Sequence, residues 1–254
     1  MTADRTSPVS ATATADPAPA EGRRERLRRE ELAQIKTSAL AQVRAEGAGA
    51  LNLRAVARAV GMSSPGLYRY YASRDELLAA LVAESYLSLA AALEQARDSA
   101  GPDVAIRLRA VVEAYFTWAT EHPSEWGLIF GAPVPVFVAP PDGATTQAAR
   151  RFGAVFAGLL AQVWVQTGAR GNVVPGLGVR PDAVTRFGDT EIPDDPRFLA
   201  AVTRLWSRLH GVIALGVFGH LLPQTLTPES TWAIYQSEID DQLVQLGLAP
   251  APGG

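Results

Sequence analysis

The sequence contains no cysteine and only three histidines among its 254 residues. Without cysteine the chain can form no disulfide framework, no thiolate nucleophile and no cysteine-ligated metal or iron–sulfur site. Three histidines (His122, His210 and His220) also argue against a histidine-rich metal site or a relay of several histidines. We therefore expect no metal and no cofactor.

A long hydrophobic run is also missing. The longest strongly apolar stretch, 211–222, contains His220 and is shorter than the ~20 residues that a membrane span needs. Residues 1–22 are rich in Ala, Thr and Pro and lack the apolar segment of a signal peptide, which predicts a disordered tail. We expect a soluble, cytoplasmic protein without a membrane partner.

The formal net charge of −3 conceals an uneven distribution. Residues 21–74 hold eleven Lys and Arg against five acids, whereas residues 75–254 hold eleven Arg against nineteen acids. Such a basic segment on an acidic body indicates a module that binds a polyanion, although a solvated helix face gives the same imbalance.

Apolar residues recur at helical spacing along the chain, so the predicted fold class is all-α. Caps, glycines and prolines predict about nine helices. Their approximate ranges are 23–45, 53–60, 64–72, 73–97, 103–120, 123–130, 146–167, 197–222 and 228–246. Ser64 is the expected cap of the third helix and Ser73 that of the fourth. Two proline-containing stretches, 131–143 and 169–196, are predicted to be irregular.

The second and third helices, joined by a short turn at Gly61, have the dimensions of a helix-turn-helix. The segment from Asn52 to Leu78, NLRAVARAVGMSSPGLYRYYASRDELL, resembles the TetR/AcrR family of bacterial transcriptional regulators. The resemblance covers about residues 27–97. It departs from the family pattern at Tyr70, Tyr71 and Arg74, which replace His, Phe and Lys, and at 65–66, where Pro-Gly replaces Gly-Thr.

The resemblance implies four segments: a tail at 1–22, a three-helix DNA-binding domain at 23–73, a linking helix at 74–98, and a larger helical domain at 99–248 for ligand binding and dimerisation. It also implies a homodimer on a near-palindromic, double-stranded DNA operator. The expected DNA-binding residues are Asn52, Arg54, Ser63, Ser64, Gly66, Tyr68, Arg69, Tyr70 and Arg74.

Within this set, Tyr68 and Arg74 resemble the family's phosphate-contacting pair, and Arg69 is the candidate for a bidentate contact to guanine. Alternatives remain open for several residues. Either serine before the third helix can act only as a cap, and Tyr68 or Tyr71 can pack in the core. The arginines of the 23–29 cluster either reach DNA or are only solvated.

The stretch from Trp206 to Gly211, WSRLHG, and the later pair Gly219–His220 are similar to the Trp-His-Gly type of TetR C-terminal domain. So is the stretch 129–135. The last two helices are apolar enough to form half of an intersubunit four-helix bundle. The expected interface residues are Trp206, Val212, Ile213, Gly216, Val217, Leu221, Trp232, Tyr235, Ile239 and Leu243.

Aromatic residues are frequent between the linking helix and these last helices. They either form ordinary core or line a cavity for a small apolar or aromatic effector. The candidates are Phe116, Trp126, Phe130, Phe152, Phe156, Trp164 and His210. His210 is the candidate polar group, unless it is a buried histidine bonded to a backbone carbonyl.

The leading hypothesis is a repressor that an effector releases from DNA. A DNA-binding regulator without a small-molecule ligand, controlled by a protein partner or by abundance, is the alternative. An all-α enzyme is disfavoured, because the sequence has no phosphate-binding glycine loop, no metal-ligand spacing and no nucleophile–base set.

Overall fold

The computed structural model describes residues 22–131, 143–168, 186–187, 190–221 and 227–248. The predicted tail and most of the two predicted irregular stretches lie outside these residues. The described part is all-α, as predicted, apart from one short hairpin. Its helices are α1 (Arg23–Glu46), α2 (Leu53–Ala59), α3 (Ser64–Tyr68), α4 (Arg74–Ser99), α5 (Val104–Glu121), α6 (Pro123–Phe130), α7 (Ala144–Gln166), α8 (Pro196–Val217) and α9 (Pro228–Gln245).

A small N-terminal core forms where α1, α2 and α3 meet the start of α4. Ile35, Ala39 and Val43 recur every fourth residue on α1, so they share one face, and all three are buried. They pack with buried residues of α2 and with Leu67 of α3. We call residues 23–73 the head.

Helix α4 connects the head to the rest of the chain. Ser73 caps its start by accepting a hydrogen bond from the Glu76 N–H at 3.1 Å, as predicted. Leu77 and Leu81 then enter the head core, whereas Leu89 and Leu93 enter a larger second core. Among the described helices, α4 alone is long and apolar enough to span a membrane, but half of its apolar window is buried inside the chain, as in the core helix of a soluble protein.

The second core is built from α5, α7, α8, α9 and one face of α6 against the C-terminal half of α4, and we call this part the body. Polar contacts join α9 to α5: the Tyr235 hydroxyl donates to the Val112 carbonyl oxygen at 2.7 Å, and Arg109 pairs with Asp240. Both contacts hold α9 against its own chain.

Two elements of the body differ from the sequence-based prediction. Helix α8 ends at Val217 instead of residue 222, because Gly219 adopts a φ of 72° and the His220 N–H turns back to the Leu215 carbonyl at 2.7 Å. A short antiparallel hairpin, with strands of two residues each (Arg186–Phe187 and Thr190–Glu191), lies in the stretch predicted to be irregular.

The cap of α4 gives a direct test of the fold. We expect Ser73→Ala to lower the free energy of unfolding by about 1 kcal/mol, because the Glu76 N–H loses its acceptor. Urea denaturation followed by circular dichroism measures this change. Ser207→Ala, on an exposed turn of α8, is the matched control. Equal effects of the two substitutions would show that the cap does not stabilise α4.

Candidate nucleic-acid interface and internal aromatic cluster

Helix α3 is short and firmly anchored in the head. Its cap is Ser63, not the predicted Ser64: the Ser63 Oγ accepts from the Gly66 N–H at 3.2 Å. A Cβ at residue 66 would approach that oxygen to 3.1 Å, so Gly66 leaves the cap undisturbed. The preceding turn uses Gly61 at a φ of 70°. The helix also ends at Tyr68, earlier than predicted.

The side chains of α3 and the following turn divide into buried anchors and exposed groups. Leu67 and Tyr71, four residues apart, are buried, so the packing interpretation of Tyr71 is confirmed. Tyr68 and Arg69 are exposed, and Tyr68 retains 47% of its accessible surface. This arrangement presents one aromatic hydroxyl and one guanidinium on a rigid support.

Tyr70 faces α1 as well as solvent. Its hydroxyl donates to the Glu31 carboxylate, and the Arg28 guanidinium carbon lies 5.5 Å from the centre of its ring. The hydrogen bond to Glu31 raises the pKa of Tyr70. These contacts bring one arginine of the 23–29 cluster next to the end of α3.

The Arg74 side chain turns towards the backbone of its own chain, and the phosphate contact that the family resemblance implied stays a prediction. Its Nη2 donates to the carbonyl oxygens of Ala48 (2.7 Å) and Gly49 (3.1 Å), and its Nε donates to that of Leu51 (3.0 Å). These carbonyls belong to the 3₁₀ turn Ala48–Ala50 and the residue after it, so the planar guanidinium of Arg74 holds the connection between α1 and α2 to the start of α4. The bonded carbonyls lie 23 to 26 residues before Arg74 in the sequence, so no local sequence pattern could indicate these contacts.

Asn52 also has a structural role. Its Oδ1 accepts from the backbone N–H groups of Arg54 (2.9 Å) and Ala55, which caps α2, and its own N–H donates to the Gln42 side chain at 3.0 Å. The Arg54 side chain is exposed at the start of that helix. Ser64 is half-buried beside the exposed Ser63.

Inside the body, eight rings from five helices form a continuous cluster, which we call the aromatic cluster. Four of the predicted effector residues other than His210 lie in it (Trp126, Phe130, Phe152 and Phe156), and His210 joins them. The predicted effector residues did not include Tyr86 or Tyr115, and Trp206 was predicted at the dimer interface. Trp206 instead stacks on His210, with ring centroids 5.0 Å apart.

Two predicted effector residues lie elsewhere. Phe116 packs against Trp232 and Tyr235, with ring centroids at 5.0 and 4.8 Å. Trp164 packs against Phe198 at 5.5 Å. Within the described part of the chain, neither ring stacks on a member of the aromatic cluster. The prediction failed for these two residues because helical spacing shows which face of a helix is buried but not which residues of other helices pack against it.

Polar atoms within the aromatic cluster are few. His210 Nδ1 lies 3.0 Å from the Tyr115 hydroxyl, so its partner is a side chain and not the backbone carbonyl considered above. Burial lowers the pKa of His210 and raises the pKa of Tyr115 well above its usual value. The buried Trp126 Nε1 has no hydrogen-bond partner among the described residues. A cavity of about 30 Å³, almost wholly apolar, borders Tyr115, Phe156 and Trp206.

Most residues predicted for a dimer interface are engaged within one chain. Ile213, Tyr235, Ile239 and Leu243 are buried in the body core, so they are removed from the candidate interface. Gly216 also faces inward, because a Cβ there would lie 3.3 Å from Thr231 Cγ2. Gly216, Val217 and Leu221 line a groove of about 450 Å³ between α5, α8 and α9. Val212 and Trp232 are half-buried against the core.

The apolar side chains that are exposed on α8 and α9 were not among those predicted. They are Leu215, Phe218 (the residue directly after α8), Ile234 and Val244. They belong to the same apolar periodicity as the buried residues of these helices. Only the packing of α8 on α9 shows which of the apolar positions stay exposed to solvent.

Helix α6 contacts both cores. Trp126 and Phe130, four residues apart, face the aromatic cluster, whereas Glu125 and Leu128, three apart, face the head. Glu125 is 6% exposed and pairs through Oε1 with Arg44 of α1. Leu128 packs on the head core. One short helix therefore bridges the two cores.

A capped helix-turn-helix with an exposed tyrosine and arginine on its second helix defines the class of a DNA-binding protein. Residues 35–81 match the family model described as bacterial regulatory proteins, tetR family, and residues 108–241 match the model described as tetracyclin repressor-like, C-terminal domain. The chain belongs to the TetR family of transcriptional regulators, which is not a family of enzymes.

Named relatives support this assignment. HTH-type transcriptional regulators Rv1816 of Mycobacterium tuberculosis and Mb1846 of Mycobacterium bovis are each 34% identical over 215 residues, which is 81% of this chain and 88% of theirs. The crystal structure of regulatory protein SCO4313 is 31% identical, with a TM-score of 0.67 over 88% of this chain and all of that one. The regulator PfmR of Thermus thermophilus, 17% identical, shares the fold with a TM-score of 0.52 over 80% of this chain and 94% of its own.

The inward position of Arg74 makes a prediction about stability. We expect Arg74→Ala to lower the free energy of unfolding by about 1–3 kcal/mol, because three carbonyl oxygens lose a charged donor. Arg74→Lys should lower the free energy of unfolding by less than Arg74→Ala, because an ammonium keeps the charge but cannot reproduce the planar arrangement of N–H donors of the guanidinium. Urea unfolding measures both variants, with Arg54→Ala as the exposed control. A stability of Arg74→Ala equal to that of the control would contradict the structural role.

Proposed function

We propose that the protein is a one-component repressor that acts in the cytoplasm. It binds a near-palindromic operator in double-stranded DNA as a homodimer and is released by a small apolar or aromatic effector. The observation that carries the DNA-binding part is the division of α3, whose buried anchor Leu67 fixes the exposed Tyr68 and Arg69. A helix held this way can enter the major groove without reorganising the head.

Each exposed group in the head has a proposed role. Tyr68 donates its hydroxyl to a phosphate oxygen, and Arg69 pairs with guanine O6 and N7. Ser63, Ser64 and Gly66 lie at the front of α3, where a small surface lets the backbone approach the bases. Arg54 meets the neighbouring phosphates, as does Arg28 beside Tyr70. Asn52 and Arg74 support these groups from within.

The aromatic cluster is the proposed effector site. Its rings bind a flat apolar molecule, and the buried Trp126 N–H is available for an acceptor atom of that molecule. His210, held by Tyr115, supplies the second polar contact. The stacking of Trp206 on His210 at this site also supports assignment of the C-terminal domain to the Trp-His-Gly type.

Helix α6 supplies the proposed route from effector to DNA. A molecule that displaces Trp126 and Phe130 also moves Glu125 and Leu128, because all four residues lie on the same eight-residue helix. That motion changes the position of the head on the body and hence the separation of the two α3 helices in the dimer. The effector acts only to the extent that it binds the displaced state more tightly.

One observation favours the alternative regulator without a small-molecule ligand. The cavity beside the aromatic cluster, about 30 Å³, holds about one water molecule. In that alternative the cluster is ordinary core, and a protein partner or abundance controls operator binding. Thermal-shift screening of flat aromatic compounds separates the two, since only the effector hypothesis predicts stabilisation that Trp206→Ala abolishes.

The DNA-binding proposal is tested on the region upstream of the protein's own gene. We expect Arg69→Ala to weaken binding at least about tenfold and to reduce the preference over a scrambled duplex. Tyr68→Phe should weaken binding to both duplexes alike, because a phosphate contact carries no sequence information. Fluorescence anisotropy at several salt concentrations measures affinity, which should fall steeply with salt.

Arg204→Ala is the control for these variants, because Arg204 is exposed on α8, far from α3 in sequence and outside the head. Unchanged affinity and sequence preference in Arg69→Ala would contradict the role of α3 in base recognition.

The exposed apolar residues of α8 and α9 predict the dimer contact. We expect Leu215→Glu combined with Ile234→Glu to give a monomer, because two charges would enter the apolar centre of the interface. Analytical ultracentrifugation measures the mass. Ile106→Glu, at an exposed apolar position of α5, is the matched control and should remain dimeric. A dimer in both variants would place the interface elsewhere.

A further inference from the structure

A second cleft lies between the head and the body, on the side of α6 that faces away from the aromatic cluster. It measures about 340 Å³, which is within the range of small-molecule sites and about ten times the volume of one water molecule. Its walls come from α1, α4 and the α5–α6 junction. They include Ala33, Lys36, Arg44, Glu84, His122 and Glu125.

The charged groups of this interdomain cleft are balanced. Lys36 Nζ lies 2.9 Å from Glu84 Oε2, and Arg44 pairs with Glu125 Oε1. Both cations therefore already have carboxylate partners. An added anion would find both cations already paired and would be repelled by the two carboxylates. The cleft is therefore unsuited to an acidic ligand.

Two polar positions at the α5–α6 junction of the interdomain cleft are acceptors. Glu125 is 6% exposed, and its Oε2 is buried with no hydrogen-bond partner among the described residues. A buried carboxylate oxygen without a donor is unfavourable, so a donor at this point is stabilising. His122 Nδ1 lies 3.0 Å from the Trp118 carbonyl oxygen and must donate to it. In the neutral ring Nε2 is then a second acceptor.

We propose that the interdomain cleft binds a small organic molecule bearing a primary ammonium group, with the ammonium on Glu125 Oε2. An ammonium supplies three N–H donors and a positive charge, which matches a buried carboxylate oxygen and an imidazole nitrogen that belong to the lining of one cleft. The apolar part of the molecule lies against Leu40 and Leu81, which also line the cleft. Because its walls belong to both head and body, the bound molecule stabilises their contact.

This site is separate from the proposed effector site and does not depend on operator binding. It is therefore tested on the free, full-length protein with n-butylammonium chloride, and with 1-butanol as a probe of similar shape without charge. Isothermal titration calorimetry should show saturable binding of n-butylammonium and none of 1-butanol. A crystal structure with n-butylammonium should place its nitrogen within hydrogen-bond distance of Glu125 Oε2.

Glu125→Gln is the decisive variant. The glutamine carbonyl still accepts from Arg44 while its NH₂ group now occupies the open position, so n-butylammonium should bind at least about tenfold more weakly. Glu94→Gln is the matched control, because Glu94 on α4 pairs with Arg151 outside the cleft. Ala33→Trp, at an exposed wall position, blocks the cleft without a change inside the core and should also abolish binding.

The proposal is overturned if n-butylammonium does not bind saturably, if it binds Glu125→Gln and wild type equally, or if the crystal structure shows only water at Glu125 Oε2. Should Glu125→Gln fail to fold, full binding to Ala33→Trp overturns it in the same way.

Discussion

The packing of α6 between two hydrophobic cores is the interaction on which the proposed regulation depends. Trp126 is fully buried among the rings of the body, and Glu125, its neighbour in sequence, is buried against the head. Neighbouring side chains on a helix point about 100° apart, so one turn of α6 can bury one side chain in each of two cores. Separation of the head from this helix would break the Arg44–Glu125 ion pair and remove Leu128 from the head core.

The head depends on a different constraint, which is local. The Ser63 Oγ accepts from the Gly66 N–H at the start of the five-residue α3, and the Arg74 guanidinium donates to the carbonyl oxygens of Ala48, Gly49 and Leu51 between α1 and α2. Both contacts satisfy backbone groups of short elements, which are marginal on their own. Tyr68 and Arg69 therefore need not contribute to the core of the head, and both are exposed. The basic segment seen in the sequence thus divides into arginines that hold the head together and arginines that face outward.

Sequence alone located nearly all helices, because caps, glycines and prolines are signals that lie within a few residues of a helix end. Ser73 was found this way, whereas the packing of Tyr71 in the core was only one of two interpretations until the structure showed its burial. The errors concern partners distant in sequence. Periodicity showed that Tyr235 and Ile213 lie on apolar faces, but not that these faces meet inside one chain. The membership of Trp206 in the aromatic cluster, and the inward turn of Arg74, needed the tertiary structure for the same reason.

Transmission from the aromatic cluster to the head through α6 is the central claim, and hydrogen–deuterium exchange tests it without an effector. Trp206→Ala opens the aromatic cluster, whereas Trp164→Ala opens the body core beside Phe198, away from α6. The account predicts that Trp206→Ala accelerates amide exchange in α6 and in the turn of α1 that contains Arg44, and that Trp164→Ala leaves that turn unchanged. Unchanged exchange around Arg44 in Trp206→Ala, or equal acceleration in both variants, would contradict it.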